Sequence, residues 1–223
     1  MPGIELAGVR QDLVRALILS VYVLAVVLAT KPLYHYMRRR GLPHNVAIYY
    51  NRKVIHIFAG GMVALLTPLM FHEPVVPLIM ALALGALLYT ARRTGRLMYW
   101  FQTAENAYEV NFTIAWGISV FLLWILTENP KLSVLPALFI AFGDGVTGIV
   151  RNTLFARRTK HWAGNLAMLA VVVPIGYFYA GLLGIAAALA ATFVERYEFP
   201  PIDDNMLIAT SSTIILLLPY LRV

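Results

Sequence analysis

Cysteine is absent from the 223 residues. That single absence removes disulfide frameworks, thiolate zinc sites, iron–sulfur clusters and thiol nucleophiles. Charge is scarce as well: Asp, Glu, Lys and Arg make up 13% of the chain, about half the usual share. Acidic residues number 11 against 18 basic ones. There is no Ser-His-Asp, His-Glu-x-x-His, Walker A or protein-kinase signature. No internal repeat is evident, which weighs against a transporter built from repeats.

What fills the chain instead is apolar. Hydrophobic residues reach 60%, where a soluble domain has roughly 45–50%. A water-soluble fold of this length has no way to hide that much apolar surface, so a bilayer is the expected solvent. A cytosolic globular enzyme and a disordered chain are excluded; a membrane enzyme is not. The net charge of +7 fits the Lys/Arg bias of cytoplasmic loops and attraction to anionic headgroups. Nucleic acid is not an expected partner, because no basic segment alternates with exposed aromatics.

A membrane-crossing helix takes roughly 20 apolar residues, and such stretches run along the whole chain. They cover residues 13–36, 54–71, 75–91, 110–127, 132–150, a 32-residue stretch at 165–196, and 206–221. The first resembles a signal peptide, but apolar character resumes beyond Lys31 and Pro32, so an uncleaved span kinked at Pro32 is expected. The 32-residue stretch is too long for one crossing of a ~30 Å core. Pro174, Gly176, Gly181 and Gly184 are natural break points, which places a turn near Ala180 and Gly181. The expected fold is all-α: one integral membrane domain over residues 1–223, a helical bundle of about eight transmembrane spans, with seven as the fallback.

With eight spans the odd loops share one side. They hold Arg38, Arg39, Arg40, Arg52, Lys53, Arg92, Arg93, Arg96, Arg151, Arg157, Arg158, Lys160 and Arg196, which is 13 of the 18 basic residues. The opposite side has Arg10, Arg15, Lys131 and Arg222. The odd loops are therefore expected in the cytoplasm and both termini outside, in a multi-pass cell-membrane protein.

Polar groups at membrane depth are costly and usually functional, and here they gather at the expected cytoplasmic face. Arg52, Lys53 and His56 open the second span. Asp144 sits near the end of the fifth, between Gly143 and Gly145. Lys160 lies in the next loop, Glu195 ends the seventh span, and Asp203, Asp204 and Asn205 lead into the last. Arg and Lys hold phosphate oxygens; carboxylates and Asn hold Mg²⁺, usually alongside substrate phosphates. The chemistry expected from this set is a nucleotide–Mg²⁺ site.

Plainer explanations exist for each piece. Gly143, Gly145 and Gly148 spell the dinucleotide fingerprint, but that motif needs a preceding strand, and small residues for close helix packing account for them more simply. Arg52 and Lys53 alone read as interface anchors, and His56 as a core histidine. Glu195 has Arg151 or Arg196 as a possible ion-pair partner. Asp203 to Asn205 can cap the last helix and still hold a ligand. The sequon at Asn111 lies inside a span. Tyr99, Trp100, Tyr108 and Trp162 read as interfacial belt residues. Glu105 and Glu109, four apart, suit one helical face turned inward.

In order along the chain, Arg52-Lys-x-x-His56, Gly143-Asp-Gly, Lys160-x-x-x-Gly164, and Glu195 followed by Asp203-Asp-Asn205 resemble the dolichol kinase/phytol kinase family of polyprenol kinases, in a version similar to an archaeal branch. The resemblance spans residues 52–205. It implies phosphoryl transfer from a nucleoside triphosphate, typically CTP, to the hydroxyl of a long isoprenoid alcohol, with Mg²⁺ at a cytoplasm-facing site. Under it Arg52, Lys53 and Lys160 hold phosphates, with His56, Gly143, Gly145, Gly164 and Asn165 around the nucleotide. Asp144, Glu195, Asp203, Asp204 and Asn205 surround the metal, and Asp144, Lys160, Glu195 and Asp204 form the catalytic set; Asp144 either binds metal or accepts the alcohol proton. Two departures stand out: the family's Lys-Ser-x-Glu-Gly-Ser segment reads Lys-His-Trp-Ala-Gly-Asn here, from Lys160 to Asn165, and Gly145 stands where Ala is common. The rival readings are a CTP:lipid-phosphate cytidylyltransferase of the CDP-archaeol or CDP-diacylglycerol synthase type, and, from another class, an anion transporter.

Overall fold

A computed structural model describes residues 6–157 and 159–221. Arg158 and Arg222, both used in the charge count, lie outside the described residues. Among the described residues seven helical rods follow one another: α1 (Leu6–Arg39), α2 (His44–Met70), α3 (Val75–Arg93), α4 (Tyr108–Thr127), α5 (Pro130–Phe155), α6 (Trp162–Val194) and α7 (Asp204–Leu217). Among the described residues there is no strand beyond a single bridge between Phe199 and Ile202. Six of the rods, α1 to α6, are long and apolar enough to cross a membrane; α7, at 14 residues, is shorter.

Local chemistry sets the boundaries. Asn129 caps α5 by accepting from Leu132 N at 3.0 Å, with Pro130 at the first helical position, where its missing N–H leaves nothing unsatisfied. Asp203 caps α7 by accepting from Met206 N at 3.1 Å. Pro32 sits within α1, which stays helical through it.

The long rod α6 is a hairpin. Ala180 and Gly181 leave helical geometry, and Gly181 takes φ +57° and ψ −136°, a region open to glycine but strained for other residues. Asn165 Nδ2 then donates to Thr192 O at 2.9 Å; in a straight helix those residues would stand about 40 Å apart. The arms touch at Gly176 and Gly184, where a Cβ on either would overlap the other's backbone. Small residues permit such an approach in lipid, where van der Waals packing replaces the hydrophobic drive. The break lies where the sequence places it.

Helix α5 forms the centre, with Leu135, Leu138, Phe139 and Ile140 fully buried against Met168 and Val172 of α6 and Ile208 and Leu216 of α7. Helix α1 lies at the edge and exposes Leu13, Leu17, Val21, Leu24 and Leu28. Two π-helical turns, His56–Gly61 in α2 and Phe139–Gly143 in α5, face each other, with Phe142 packed on Gly61. Such turns concentrate at functional sites, and these two deliver His56 and Asp144.

Three sequence expectations need correction. Helix α2 begins at His44, so Arg52, Lys53 and His56 stand inside a rod rather than at its opening; the connector before it is shorter than the apolar pattern suggested. Glu105 precedes α4 and is exposed while Glu109 is buried, so the two do not share a helical face. Trp100 is buried, with its Nε1 donating to Val27 O at 3.2 Å, and is not a belt residue; Tyr99 and Trp162 are exposed as a belt requires.

Candidate functional site

The polar residues meet between α2, α5, the end of α6 and the start of α7. Lys53 reaches from α2 across Gly148 to Asp144 of α5, with Nζ 2.5 Å from Oδ2. A Cβ on Gly148 would overlap the Lys53 side chain, so the glycine clears the path of the lysine. Both charges are buried. His56 stands beside them, its Nδ1 3.4 Å from Asp144 Oδ2 and its ring stacked on Phe112 with centroids 4.0 Å apart.

The second half of the site is built on Glu195. Arg151 grips it with both terminal nitrogens, at 2.7 and 2.8 Å, the bidentate geometry that makes Arg–carboxylate pairs strong. Gly164 makes room for that guanidinium, since a Cβ there would overlap Arg151 Nε. Asn165 joins both partners, accepting from Arg151 at 2.9 Å and donating to Glu195 at 3.2 Å. Lys160 closes the group, with Nζ 2.7 Å from Asp204, 3.1 Å from Glu195 and 3.3 Å from Glu198. Burial opposes the charge on Lys160, yet Asp204 and Glu195 outweigh it and hold its pKa above the ordinary value. Burial raises the pKa of Asp203, partly offset by the hydrogen bond from Met206 N.

One oxygen each from Asp144, Glu195 and Asp204 lies within 4.8 Å of the others, and all three residues are buried. Hard carboxylate oxygens suit Mg²⁺. Asp144 and Asp204 fit that ion best: each meets a lysine through Oδ2, whereas both oxygens of Glu195 are gripped by Arg151. Asn205 supports the fit: its Nδ2 donates to Asp203 at 3.3 Å while its Oδ1 is buried and meets no partner among the described residues.

Several expected residues serve other ends. Arg52 turns to the connector between α3 and α4, with Nε donating to Phe101 O at 2.8 Å and the guanidinium over Tyr108. Gly143 packs on Val172 and Met168, and Gly145 on Ile57, as helix packing requires. Asp203 is spent on the helix cap. Asn111, the sequon residue, donates to Pro201 O at 3.0 Å.

Arg151 is the residue the sequence reading misplaced. Counted as a loop charge, it is 1% exposed inside α5. The signal was present: Asp144, Thr147, Gly148 and Arg151 recur at helical spacing and share one face of α5. Arg52, Lys53 and Arg151 are therefore buried partners rather than loop charges, and they carry no topological weight.

No protein-family profile, curated protein or solved structure matches the chain.

Proposed function

We propose that the chain is a membrane-embedded polyprenol kinase that moves the γ-phosphoryl group of a nucleoside triphosphate, CTP by the motif resemblance, onto the hydroxyl of a long isoprenoid alcohol. The observation that carries the proposal is the meeting of two lysine–carboxylate pairs, Lys53–Asp144, which is buried, and Lys160–Asp204, in which the lysine is half-buried. They come from segments far apart in sequence and meet at one end of an apolar bundle. Phosphoryl transfer calls for positioning and charge neutralisation more than covalent chemistry, and this cluster supplies both signs of charge in a dry setting.

Asp144 and Asp204 would hold Mg²⁺, which would supply neutralisation of phosphate charge as the nucleotide binds. Lys53 and Lys160 exchange a carboxylate for phosphate oxygens at that moment. Arg151 and Asn165 hold Glu195 still, and so keep Lys160 aimed. The alcohol oxygen forms its bond to the γ-phosphorus, the bond from that phosphorus to the bridging oxygen breaks, and a nucleoside diphosphate leaves; the hydroxyl proton passes to a carboxylate of the cluster. Burial excludes water, which would otherwise compete as acceptor.

The same reading takes the hairpin arms of α6 as two crossings and α7 as the last, eight in all, with both termini outside and the site facing the cytoplasm. Single cysteines at Arg40, Arg96 and Arg157 should label from one side of sealed vesicles, and cysteines at Glu73 and Lys131 from the other. Mixed labelling overturns the orientation.

The deciding experiment supplies purified protein with γ-labelled CTP, Mg²⁺ and a panel of isoprenoid alcohols. Label in the lipid together with released CDP supports the kinase. Release of pyrophosphate from a lipid phosphate points to the cytidylyltransferase. Anion flux across vesicles without either product points to transport.

A further inference from the structure

Beside the charged cluster runs a long apolar groove of about 490 Å³, within the range of small-molecule sites. It is bounded by α1, α2, α3 and α4. Along α2 its lining runs from Arg52 to Thr67, about 22 Å of helix at 1.5 Å per residue. Its flank opens between α1 and α3, where Leu24 and Leu87 both line it and face outward, 57% and 63% exposed. In a bilayer that opening faces acyl chains. Nearly all of the lining is apolar, and the polar exceptions gather mainly at one end: Arg52, His56 and Glu109. His56 is the residue that also stands 3.4 Å from Asp144, so the polar end of the groove abuts the candidate site.

Glu109 is the unexplained group there. It is 6% exposed. Gln102 Nε2 donates to its Oε1 at 2.8 Å, which fixes the carboxyl plane, while Oε2 is buried and accepts from nothing among the described residues. A buried acceptor left unmet costs its desolvation, and an ionisable residue at membrane depth usually marks a ligand path. Neither the motif resemblance nor the metal cluster uses Glu109.

We infer that this groove binds the acceptor lipid from the side, as one long apolar tail, and that Glu109 Oε2 accepts a hydrogen bond from its hydroxyl, positioning that group beside His56 and Asp144. The identity of the head group as a hydroxyl rests on the kinase reading; the groove and the unmet oxygen do not. The occupant is a single-tailed alcohol because the polar end offers two polar atoms unmet among the described residues, Glu109 Oε2 and His56 Nδ1, that suit one hydroxyl, while Arg52 at that end is engaged by Phe101 O and Thr103 Oγ1 rather than held open for a phosphate head. Glu109 is a positioning residue, acting by holding the hydroxyl rather than by taking part in the transfer.

The test uses the whole protein in nanodiscs with a diazirine-bearing C20 isoprenoid alcohol and no nucleotide. Cross-links mapped by mass spectrometry should fall on groove residues such as Val27, Leu84 and Phe112. Excess unlabelled alcohol should compete at least tenfold better than the hydrocarbon lacking the hydroxyl, a ratio worth about 1.4 kcal/mol. Glu109→Leu should abolish that preference, Glu109→Gln should retain part of it because an amide oxygen still accepts, and Ser20→Trp should block labelling by alcohol and hydrocarbon alike. In turnover, Glu109→Gln should raise the KM for alcohol with little change in kcat. Cross-links scattered over the outer face of α1, or an unchanged preference in a folded Glu109→Leu, overturn the inference. Should the Glu109 variants not fold, the wild-type cross-link map and the alcohol-to-hydrocarbon ratio still decide. Groove labelling without phosphoryl transfer would remove the kinase reading and leave the groove; turnover with labelling elsewhere would do the reverse.

Discussion

Helices α1 and α5 are both apolar enough to cross a bilayer, yet they lead opposite lives. In the most apolar stretch of α1, 17% of residues are buried; in that of α5, 78% are. The more apolar helix is the more exposed one. In water this would be perverse, but lipid tails solvate Leu and Val as well as a protein interior does, so burying them in the bundle gains little. What has to be enclosed is polarity: Asp144, Thr147, Arg151 and Asn152 of α5 are buried, because in hydrocarbon each must find its partner within the protein. The molecule thus divides into a tight, charged half built on α5 with the inward faces of α6 and α7, and a looser, apolar half of α1, α3 and the outward face of α6, with α2 and α4 shared between them.

The sharpest way to break this contrast is to remove one charge from the tight half. Asp144→Asn leaves Lys53 buried without its counter-charge, and breaking such a pair costs about 3–5 kcal/mol; Tm in detergent should drop and turnover should vanish. The pair Lys53→Met with Asp144→Leu should recover most of the stability, since apolar replacement of a buried ion pair is often neutral, yet restore no turnover. A double variant as unstable as the single one would mean that the carboxylate contributes through something other than Lys53.

A smaller effect is expected from steric change. Gly148→Leu would collide with Lys53, and overpacking costs about 1–3 kcal/mol. Leu17→Ala on the outward face of α1 should stay within about 0.5 kcal/mol. Equal losses at the two positions, read from thermal unfolding, would erase the distinction between the halves.

Asp204→Asn removes a candidate metal ligand and should move the Mg²⁺ dependence of turnover upward by about tenfold or more, with partial rescue by excess Mg²⁺. Turnover depressed equally at all Mg²⁺ concentrations would assign Asp204 to Lys160 alone.

The smallest effect lies in the pH dependence of stability. Lys160 titrates above its ordinary value of 10.5 in the folded protein. Its stabilising contribution is complete below that ordinary value and is lost only as pH rises through the higher folded one. The Tm difference between wild type and Lys160→Met should therefore not shrink from about pH 7 to pH 9. A difference that shrinks across that range would show the lysine losing its proton early.

The amino-acid sequence by itself determined the helical class, the helices long and apolar enough to cross a membrane, and the hairpin in α6. Composition, run length and the glycines near Ala180 are local properties, and each has one structural outcome when backbone groups must be satisfied within the segment. It also identified most of the polar groups that meet, because Lys53, Asp144, Lys160, Glu195 and Asp204 stand out against an apolar background. Their pairing was decided only by the tertiary structure. Arg52 and Lys53 are neighbours in the chain, yet a rotation of about 100° per residue sends one to the carbonyl of Phe101 and the other to Asp144. The sequence offered Glu195 either Arg151, otherwise counted as a loop charge, or Arg196, and the pair with Arg151 was decided by α5 running past it to Phe155. Glu109 and the groove beside it arise from four helices meeting, with a lining drawn from segments between Ala16 and Trp116 that no local pattern brings together.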